Sequence, residues 1–155
     1  MNVEYINPFI AASRSVISQT TGFDPAIGQL YVKATPYTGD KVMIIIGLAG
    51  KIRGNVVVSF DYETAYKIVS AMMGGMPIQT LDEMSKSAIA ELCNMILGNT
   101  ATIFSKKNIH VDITPPTVLT GDNMQLSAAK STVVCIPLIL DDNAKIELDI
   151  SYIEN

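Results

Sequence analysis

The chain has 155 residues, of which 48% are hydrophobic and 17% charged, and its net charge is −4. A chain of this length and composition buries enough apolar surface to offset the entropy of ordering, which excludes disorder and is typical of one globular domain. Its few basic residues are scattered and do not form the positive surface that nucleic acid requires, so we expect no nucleic-acid partner.

Targeting signals and cysteine usage both indicate the reducing interior of a cell. The N-terminus has no basic segment followed by an apolar one, and the longest apolar run, Val42–Ala49, is too short to cross a bilayer. Cys93 falls on an apolar helical face and Cys135 within an apolar strand-like run, which is no disulfide framework. We therefore expect a soluble, cytoplasmic protein with no membrane partner, in which both cysteines are buried free thiols.

Hydrophobic periodicity and turn residues predict helices and hairpin strands along the chain. Asn7 and Pro8 favour a helix start, because Asn caps helix N-termini and Pro suits the first helical position. Apolar runs rich in Val, Ile and Leu are typical of central strands. The predicted elements, in chain order, are a helix over Pro8–Thr21, strands over Val42–Leu48 and Asn55–Phe60, a helix over Tyr62–Met73, a helix over Asp82–Ser105, and strands over Thr132–Leu140 and Lys145–Tyr152.

Two similar segments indicate an internal repeat. Val32–Pro36 and Val111–Pro115 share a Val-x-x-Thr-Pro pattern at an offset of 79 residues, and a Thr-Gly-Asp turn follows each of them. Each segment is preceded by a predicted helix and followed by two apolar strands. We therefore predict an α+β fold in which residues 1–155 form one domain of two pseudo-repeats, about 1–60 and 80–155. A pseudo-twofold axis would relate the two helix-plus-hairpin units, and long helices would cover an antiparallel sheet.

The two long helices differ at positions that could carry chemistry. At the 79-residue offset, Ala12 and Ser15 of the first helix correspond to Glu91 and Asn94 of the second. At about 100° per residue, Glu91 and Asn94 lie opposite an apolar stripe, among small side chains that would let a partner approach closely. A solvated helix face is the alternative interpretation. The apolar stripe contains Ile89, Leu92, Cys93, Ile96 and Ile103, and the opposite side carries Ser87, Glu91, Asn94, Gly98 and Ser105.

Familiar catalytic arrangements are missing from the sequence. It contains one histidine, His110, and no cluster with metal-ligand spacing, so we expect no bound metal and a structural role for His110. No nucleophile has an adjacent base, and there is no glycine-rich phosphate loop. Gly74–Gly75 is interpreted as a helix end and Asp141–Asn143 as a hairpin turn. The sequence therefore predicts none of these catalytic arrangements.

The second long helix resembles a family signature. Its pattern Ser87-x-x-x-Glu91-x-x-Asn94 is similar to the signature of the CheX branch of the CheC-type chemotaxis phosphatases, and Pro115–Pro116 resembles the proline that follows it. The opening Asn7-Pro8-Phe9 also resembles CheX proteins. The resemblance covers essentially the whole chain and implies a CheC-like fold. CheC proteins typically carry the signature in both halves and CheX proteins in one, so a single copy indicates the CheX branch.

The resemblance also implies a function and a partner. It implies hydrolysis of the aspartyl phosphate of the response regulator CheY, with Asn94 orienting the attacking water and Glu91 pairing with a lysine of the regulator. The chain would need no cofactor of its own, since CheY brings the Mg²⁺. The implied partner-binding residues are Ser87, Gly98, Pro115 and Pro116.

The CheX resemblance further implies a homodimer joined through the sheets, which would give two sites per particle. Two other functions remain open. One is a non-catalytic interaction module that binds a response regulator, like the middle domains of flagellar switch proteins, and the other is a small-molecule enzyme. Glu91 together with Asn94 favours the phosphatase, because a scaffold needs neither residue.

Overall fold

Three helices and ten strands lie within residues 2–128 and 132–155, which the computed structural model describes. The helices are α1 (Val3–Thr21), α2 (Tyr62–Met72) and α3 (Glu83–Lys106). The strands are β1 (Ala26–Ile27), β2 (Tyr31–Ala34), β3 (Tyr37–Thr38), β4 (Val42–Gly50), β5 (Ile52–Phe60), β6 (Val111–Ile113), β7 (Thr117–Thr120), β8 (Gln125–Leu126), β9 (Thr132–Asp141) and β10 (Ala144–Glu154).

Eight of the described strands form one sheet with a symmetric order. Its main path runs β1-β9-β10-β5-β4-β6, while β2 also pairs with β9 and β7 also pairs with β4. Exchanging β4 with β9, β5 with β10, β1 with β6 and β2 with β7 leaves these pairings unchanged, and all of them are antiparallel. The predicted α+β class with an antiparallel sheet is confirmed. The origin of both halves from one repeated unit stays a prediction.

The helices pack against one face of the large sheet. Alternate strand residues such as Ile44, Val58 and Leu148 point into a continuous core with residues of all three helices. Phe104 of α3 packs edge-on against Phe9 of α1, with ring centroids 5.8 Å apart. This packing fixes how α3 is rotated about its own axis, and therefore which of its side chains face outward.

Helix α1 begins earlier than predicted. The prediction that Asn7 caps a helix starting at Pro8 is wrong, because the helix starts at Val3 and Pro8 lies inside it. The Oδ1 atom of Asn2 accepts a hydrogen bond from the backbone N–H of Glu4 at 3.0 Å and so acts as the cap. A proline this close to the N-terminus removes one helical hydrogen bond, a loss that burial of neighbouring side chains offsets.

The two Val-x-x-Thr-Pro segments occupy different places in the sheet. Val32–Ala34 lies in β2 and pairs with Thr132–Val134 of β9. Val111–Ile113 forms β6 and pairs with Leu48–Gly50, at the far end of β4. In the symmetric strand order the counterpart of β2 is β7, so this sequence pattern does not mark equivalent strands.

Both cysteines, Cys93 and Cys135, are buried and free, which confirms the sequence prediction. The thiol of Cys93 has its pKa raised to about 12 because burial disfavours the thiolate. Among the described helices, none combines the length and the hydropathy that crossing a membrane would require.

Candidate functional site

The N-terminal cap of α3 fixes where the helix begins, and its buried face fixes which side chains point outward. Both therefore determine the position of the candidate residues. The Oδ1 atom of Asp82 accepts a hydrogen bond from the backbone N–H of Ser85 at 2.8 Å, and this bond lowers the pKa of the Asp82 carboxyl. Ile103 is half-buried, so the buried stripe differs from the predicted one near its C-terminal end. The buried residues are Ser85, Ile89, Leu92, Cys93, Ile96, Leu97, Thr100 and Phe104.

Glu91 and Asn94 face away from the core. Glu91 is exposed and Asn94 is half-buried, and the two residues are about 4.5 Å apart along the helix axis. Neither side chain forms a hydrogen bond or an ion pair with any other residue in the ranges 2–128 and 132–155. A carboxylate and an amide that the fold leaves unpaired are both available to a partner molecule.

The segment between β6 and β7, residues 114–116, lies opposite α3, and we call it the proline wall. Thr114 joins this wall to β4, since its backbone N–H donates to the Gly47 carbonyl at 3.0 Å. The Gly47 N–H in turn donates to Thr114 Oγ1 at 2.7 Å. A Cβ atom on Gly47 would lie 3.0 Å from Thr114 Cγ2, so a larger residue there would displace Thr114 by a few tenths of an ångström. The wall is thus held against the sheet next to Pro115 and Pro116.

An open groove of about 450 Å³ separates α3 from this wall. It contains five of the six predicted site residues, and the sixth, Gly98, lies one helical turn beyond Asn94 and outside the lining. A Cβ atom on Gly98 would meet nothing within 4 Å, so packing inside the chain does not require a glycine there. The roles assigned to all six stay predictions. The groove is lined by Ser87, Ala90, Glu91, Asn94, Ile113, Thr114, Pro115 and Pro116.

The helix α1 has no equivalent polar pair, although the predicted correspondence of residues was wrong by one position. Ala12 is buried whereas Glu91 is exposed, so the two residues do not occupy equivalent places. The buried positions of α1 and α3 align at an offset of 80 rather than 79 residues, which pairs Ala11 with Glu91 and Arg14 with Asn94. The first half therefore carries an alanine and an arginine at these positions.

A second polar cluster, which the sequence analysis did not identify, lies on the other face of the sheet. The Nζ atom of Lys33 is 2.7 Å from Glu147 Oε2 and 3.7 Å from Asp149 Oδ2. The hydroxyl of Tyr31 donates a hydrogen bond to the other oxygen of Glu147. The ammonium group also lies 4.8 Å from the centroid of the Tyr37 ring. In the sequence, this cluster is indicated by two acidic residues, Glu147 and Asp149, at alternate positions of one apolar strand.

Burial and charge oppose each other in this cluster. Asp149 is 2% exposed, and its pKa is raised to about 7 by burial and by the neighbouring Glu147. Burial also acts on Glu147, but the hydrogen bonds from Lys33 and Tyr31 prevail and lower its pKa. Neither carboxylate oxygen of Asp149 accepts a hydrogen bond from another described residue. The cluster therefore holds one ammonium against two carboxyl groups.

Cys135 joins this cluster and completes a set of three potential metal ligands. Its sulfur and one oxygen each of Glu147 and Asp149 lie within 4.8 Å of one another. The set does not suit a metal ion, because Lys33 already supplies a cation and burial raises the pKa of the Cys135 thiol. His110 is exposed, its Nε2 lies 3.1 Å from Asp112 Oδ2, and it is not among the residues that line the groove.

Comparison with known proteins places these features in a family. A family profile described as "Chemotaxis phosphatase CheX" matches residues 42–138. The chain is 34% identical over 151 residues to the CheY-P phosphatase CheX of Thermotoga maritima. This alignment covers 97% of this chain and 97% of the relative. It is 31% identical to the CheX chain in the CheX-CheY-BeF3-Mg²⁺ complex from Borrelia burgdorferi, with a TM-score of 0.81 and coverage of 99% and 100%.

A further solved structure extends this likeness. The chemotaxis protein CheX from Desulfovibrio desulfuricans is 27% identical, and the superposition has a TM-score of 0.85 over 98% of this chain and 99% of that one. Sequence identity and fold agree over nearly the full length of each of these proteins. The chain therefore belongs to the CheX family of chemotaxis phosphatases.

Proposed function

We propose that the protein hydrolyses the aspartyl phosphate of a CheY-type response regulator, with Asn94 orienting the attacking water. One observation carries this proposal. Glu91 and Asn94 are unpaired within the described chain, lie one helical turn apart and face an open groove. An exposed carboxylate and a half-buried amide that faces the groove, neither with an internal partner, are suited to insertion into the active site of another protein.

The chemistry required of Asn94 is modest. In the hydrolysis, the oxygen of water bonds to phosphorus while the bond from phosphorus to the aspartate oxygen breaks, which leaves a carboxylate and inorganic phosphate. The carbonyl oxygen of the Asn94 amide accepts a hydrogen bond from this water and holds its oxygen in line with the breaking bond. An amide is too weak a base to remove the proton, so the acceleration comes from placement.

Glu91 and the groove would hold the regulator in place. The Glu91 carboxylate pairs with a lysine in the regulator's phosphorylation site, and contact with the partner excludes water from this pair and strengthens it. Pro115 and Pro116 contact the partner from the opposite wall, and Ser87 and Gly98 permit a close approach along α3. Mg²⁺ bound to the regulator neutralises charge on the phosphoryl group.

Known relatives support the partner and the reaction. The Thermotoga maritima relative is named a CheY-P phosphatase, and the Borrelia burgdorferi relative was solved in a complex with CheY, BeF3 and Mg²⁺. Both exceed 30% identity to this chain over nearly its whole length. The cytoplasmic location and the homodimer joined through the sheets stay predictions, and light scattering would measure the mass of the particle in solution.

The decay of a radiolabelled phosphorylated regulator tests the proposal. We expect Asn94→Ala to reduce the acceleration about 100-fold or more while binding of the regulator is retained, because the variant loses the group that positions water. Glu91→Ala should also raise the KM for the regulator about tenfold, since the docking pair is lost. Asn99→Ala in the same helix and Glu63→Ala on α2 are matched controls that should behave like the wild type.

The outcome also decides between the phosphatase and a non-catalytic interaction module. Wild-type protein that binds the phosphorylated regulator without shortening its lifetime would support the flagellar-switch type of module. Wild-type rates for both Asn94→Ala and Glu91→Ala would contradict the catalytic assignment even if the protein is active.

A further inference from the structure

We propose that Met84 and Met95 are the apolar anchors by which α3 holds the regulator on either side of Glu91. This inference rests on the proposed function and specifies the docking surface of the same site. Met84 is 54% exposed and Met95 is 40% exposed, although methionine side chains are usually buried in a core. We call the stripe that contains Met84, Glu91 and Met95 the methionine ridge.

The two methionines are placed in line with Glu91 along the helix. At about 100° per residue, Met84 lies about 20° and Met95 about 40° from the direction of Glu91, both on the side away from Asn94. Along the axis they lie about 10 Å before and about 6 Å after Glu91. Asn94 lies on the side of the ridge that faces the proline wall. A partner that pairs with Glu91 therefore contacts the two methionines as well.

Nothing in the described chain explains the position of these two methionines. Met72 and Met73, at the end of α2, are partly buried and pack against the hydrophobic core. Among the described residues, 2–128 and 132–155, Met84 and Met95 are not part of the hydrophobic core and do not pack against it. Their exposed thioether side chains are flexible and polarisable, which suits contact with a partner surface that is not fixed in advance.

Charge on the ridge indicates which partner surface fits it. Glu91 is the charged group between the two methionines, and the nearest basic residue, Lys86, lies on another side of the helix, with its Nζ 3.5 Å from Glu83. A complementary surface presents one cation surrounded by apolar side chains. The lysine with which Glu91 pairs under the proposed function supplies this cation, and we assign the surface of the regulator around that lysine as the occupant of the ridge.

The test uses glutamine, which is similar to methionine in length and in helix propensity but is polar. The double variant Met84→Gln with Met95→Gln should raise the KM for the phosphorylated regulator about tenfold and change kcat by less than about twofold. Met76→Gln is the matched control, because Met76 is 55% exposed but lies after α2, outside the ridge. This control should leave both constants at their wild-type values.

A binding measurement separates this inference from the proposed function. Titration of the protein with a beryllofluoride-loaded regulator should give a Kd about tenfold higher for the double variant, whether or not the wild type accelerates hydrolysis. An unchanged KM and Kd would overturn the inference and leave the proposed function standing. A double variant that changes its particle mass, with Kd unaffected, would assign the ridge to a second copy of the chain and would also overturn it.

Discussion

The structure contains two polar regions that differ in how their charges are satisfied. On α3, Glu91 and Asn94 are accessible and have no partner within the described chain. On the opposite face of the sheet, Lys33, Glu147 and Asp149 are drawn together and the two carboxyl groups are buried. The pKa values of Glu147 and Asp149 in the second region are shifted in opposite directions, and shifts of this kind often indicate active sites.

This difference shows that a perturbed pKa does not by itself identify the site. In the cluster around Lys33 the charges interact with one another, because one ammonium group compensates two carboxyl groups. Helix α3 offers an uncompensated carboxylate and an amide instead. We therefore expect substitutions in the cluster to change stability, and substitutions on or near the ridge to change interaction with the regulator.

Removal of the cation from the cluster should have the largest effect. Lys33→Met leaves two neighbouring carboxyl groups without a counter-charge, and we expect it to lower the free energy of unfolding by about 4 kcal/mol at pH 8. The loss should be smaller at pH 5, where Asp149 is protonated. Urea unfolding at the two pH values measures this. In the same assay Glu91→Gln should stay within about 0.5 kcal/mol of the wild type, and equal losses for both variants would contradict the comparison.

Replacement of the titrating acid should have the next largest effect and should depend on pH. The pKa of Asp149 is about 7 in the folded protein against an ordinary value of 3.8, so the folded state binds the proton more tightly. This stabilisation is complete below about pH 4 and is lost as the pH rises through 7. Relative to the wild type, Asp149→Asn should therefore gain about 3 kcal/mol of unfolding free energy between pH 4 and pH 8.

Thermal or urea unfolding across this range provides the measurement for Asp149→Asn. Asp24→Asn is the control, since it replaces an exposed carboxyl group that forms no hydrogen bond or ion pair with another described residue. Parallel stability profiles for Asp149→Asn and the wild type would mean that Asp149 does not exchange its proton with folding.

The smallest expected effect concerns the wall that faces α3 across the groove. A Cβ atom on Gly47 would lie 3.0 Å from Thr114 Cγ2, so Gly47→Ala should push the proline segment outward by a few tenths of an ångström. We expect the KM for the phosphorylated regulator to rise about threefold with little change in kcat, because α3 itself is not altered. Steady-state dephosphorylation measures both constants.

A second substitution should reverse part of this effect. Thr114→Ser removes Cγ2 but retains Oγ1, which would lie 3.1 Å from the added Cβ, so it should partly restore the KM in the Gly47→Ala background and be nearly neutral alone. Failure of the serine to lower the KM in that background would show that the contact between Gly47 and Thr114 does not set the position of the wall.

Local patterns predicted helix α3 and its exposed residues well. The cap at Asp82 and the apolar periodicity from Ile89 to Ile96 specify both the start and the buried face of this helix. The outward direction of Glu91 follows from that periodicity alone. The hairpin strands were also predicted from their composition, although β5 begins at Ile52 rather than Asn55.

Features that depend on distant parts of the chain were harder to predict. The cluster of Lys33 with Glu147 requires β2 and β10 to lie on either side of β9, and sequence spacing carries no information about that order. The wrong offset for α1 arose because Val32–Pro36 and Val111–Pro115 look alike but occupy different strands. The correct offset between α1 and α3 follows from which of their residues are buried, and this is known only from the folded structure.

The central position of β10 has a consequence for synthesis on the ribosome. This strand follows all the other described strands in the chain, yet it lies between β5 and β9 and pairs with both. While translation proceeds, the nascent β4–β5 hairpin therefore keeps an unpaired apolar edge until Ala144–Glu154 has left the exit tunnel. We expect a nascent chain stalled before this strand to be bound by chaperones and unable to recognise its regulator.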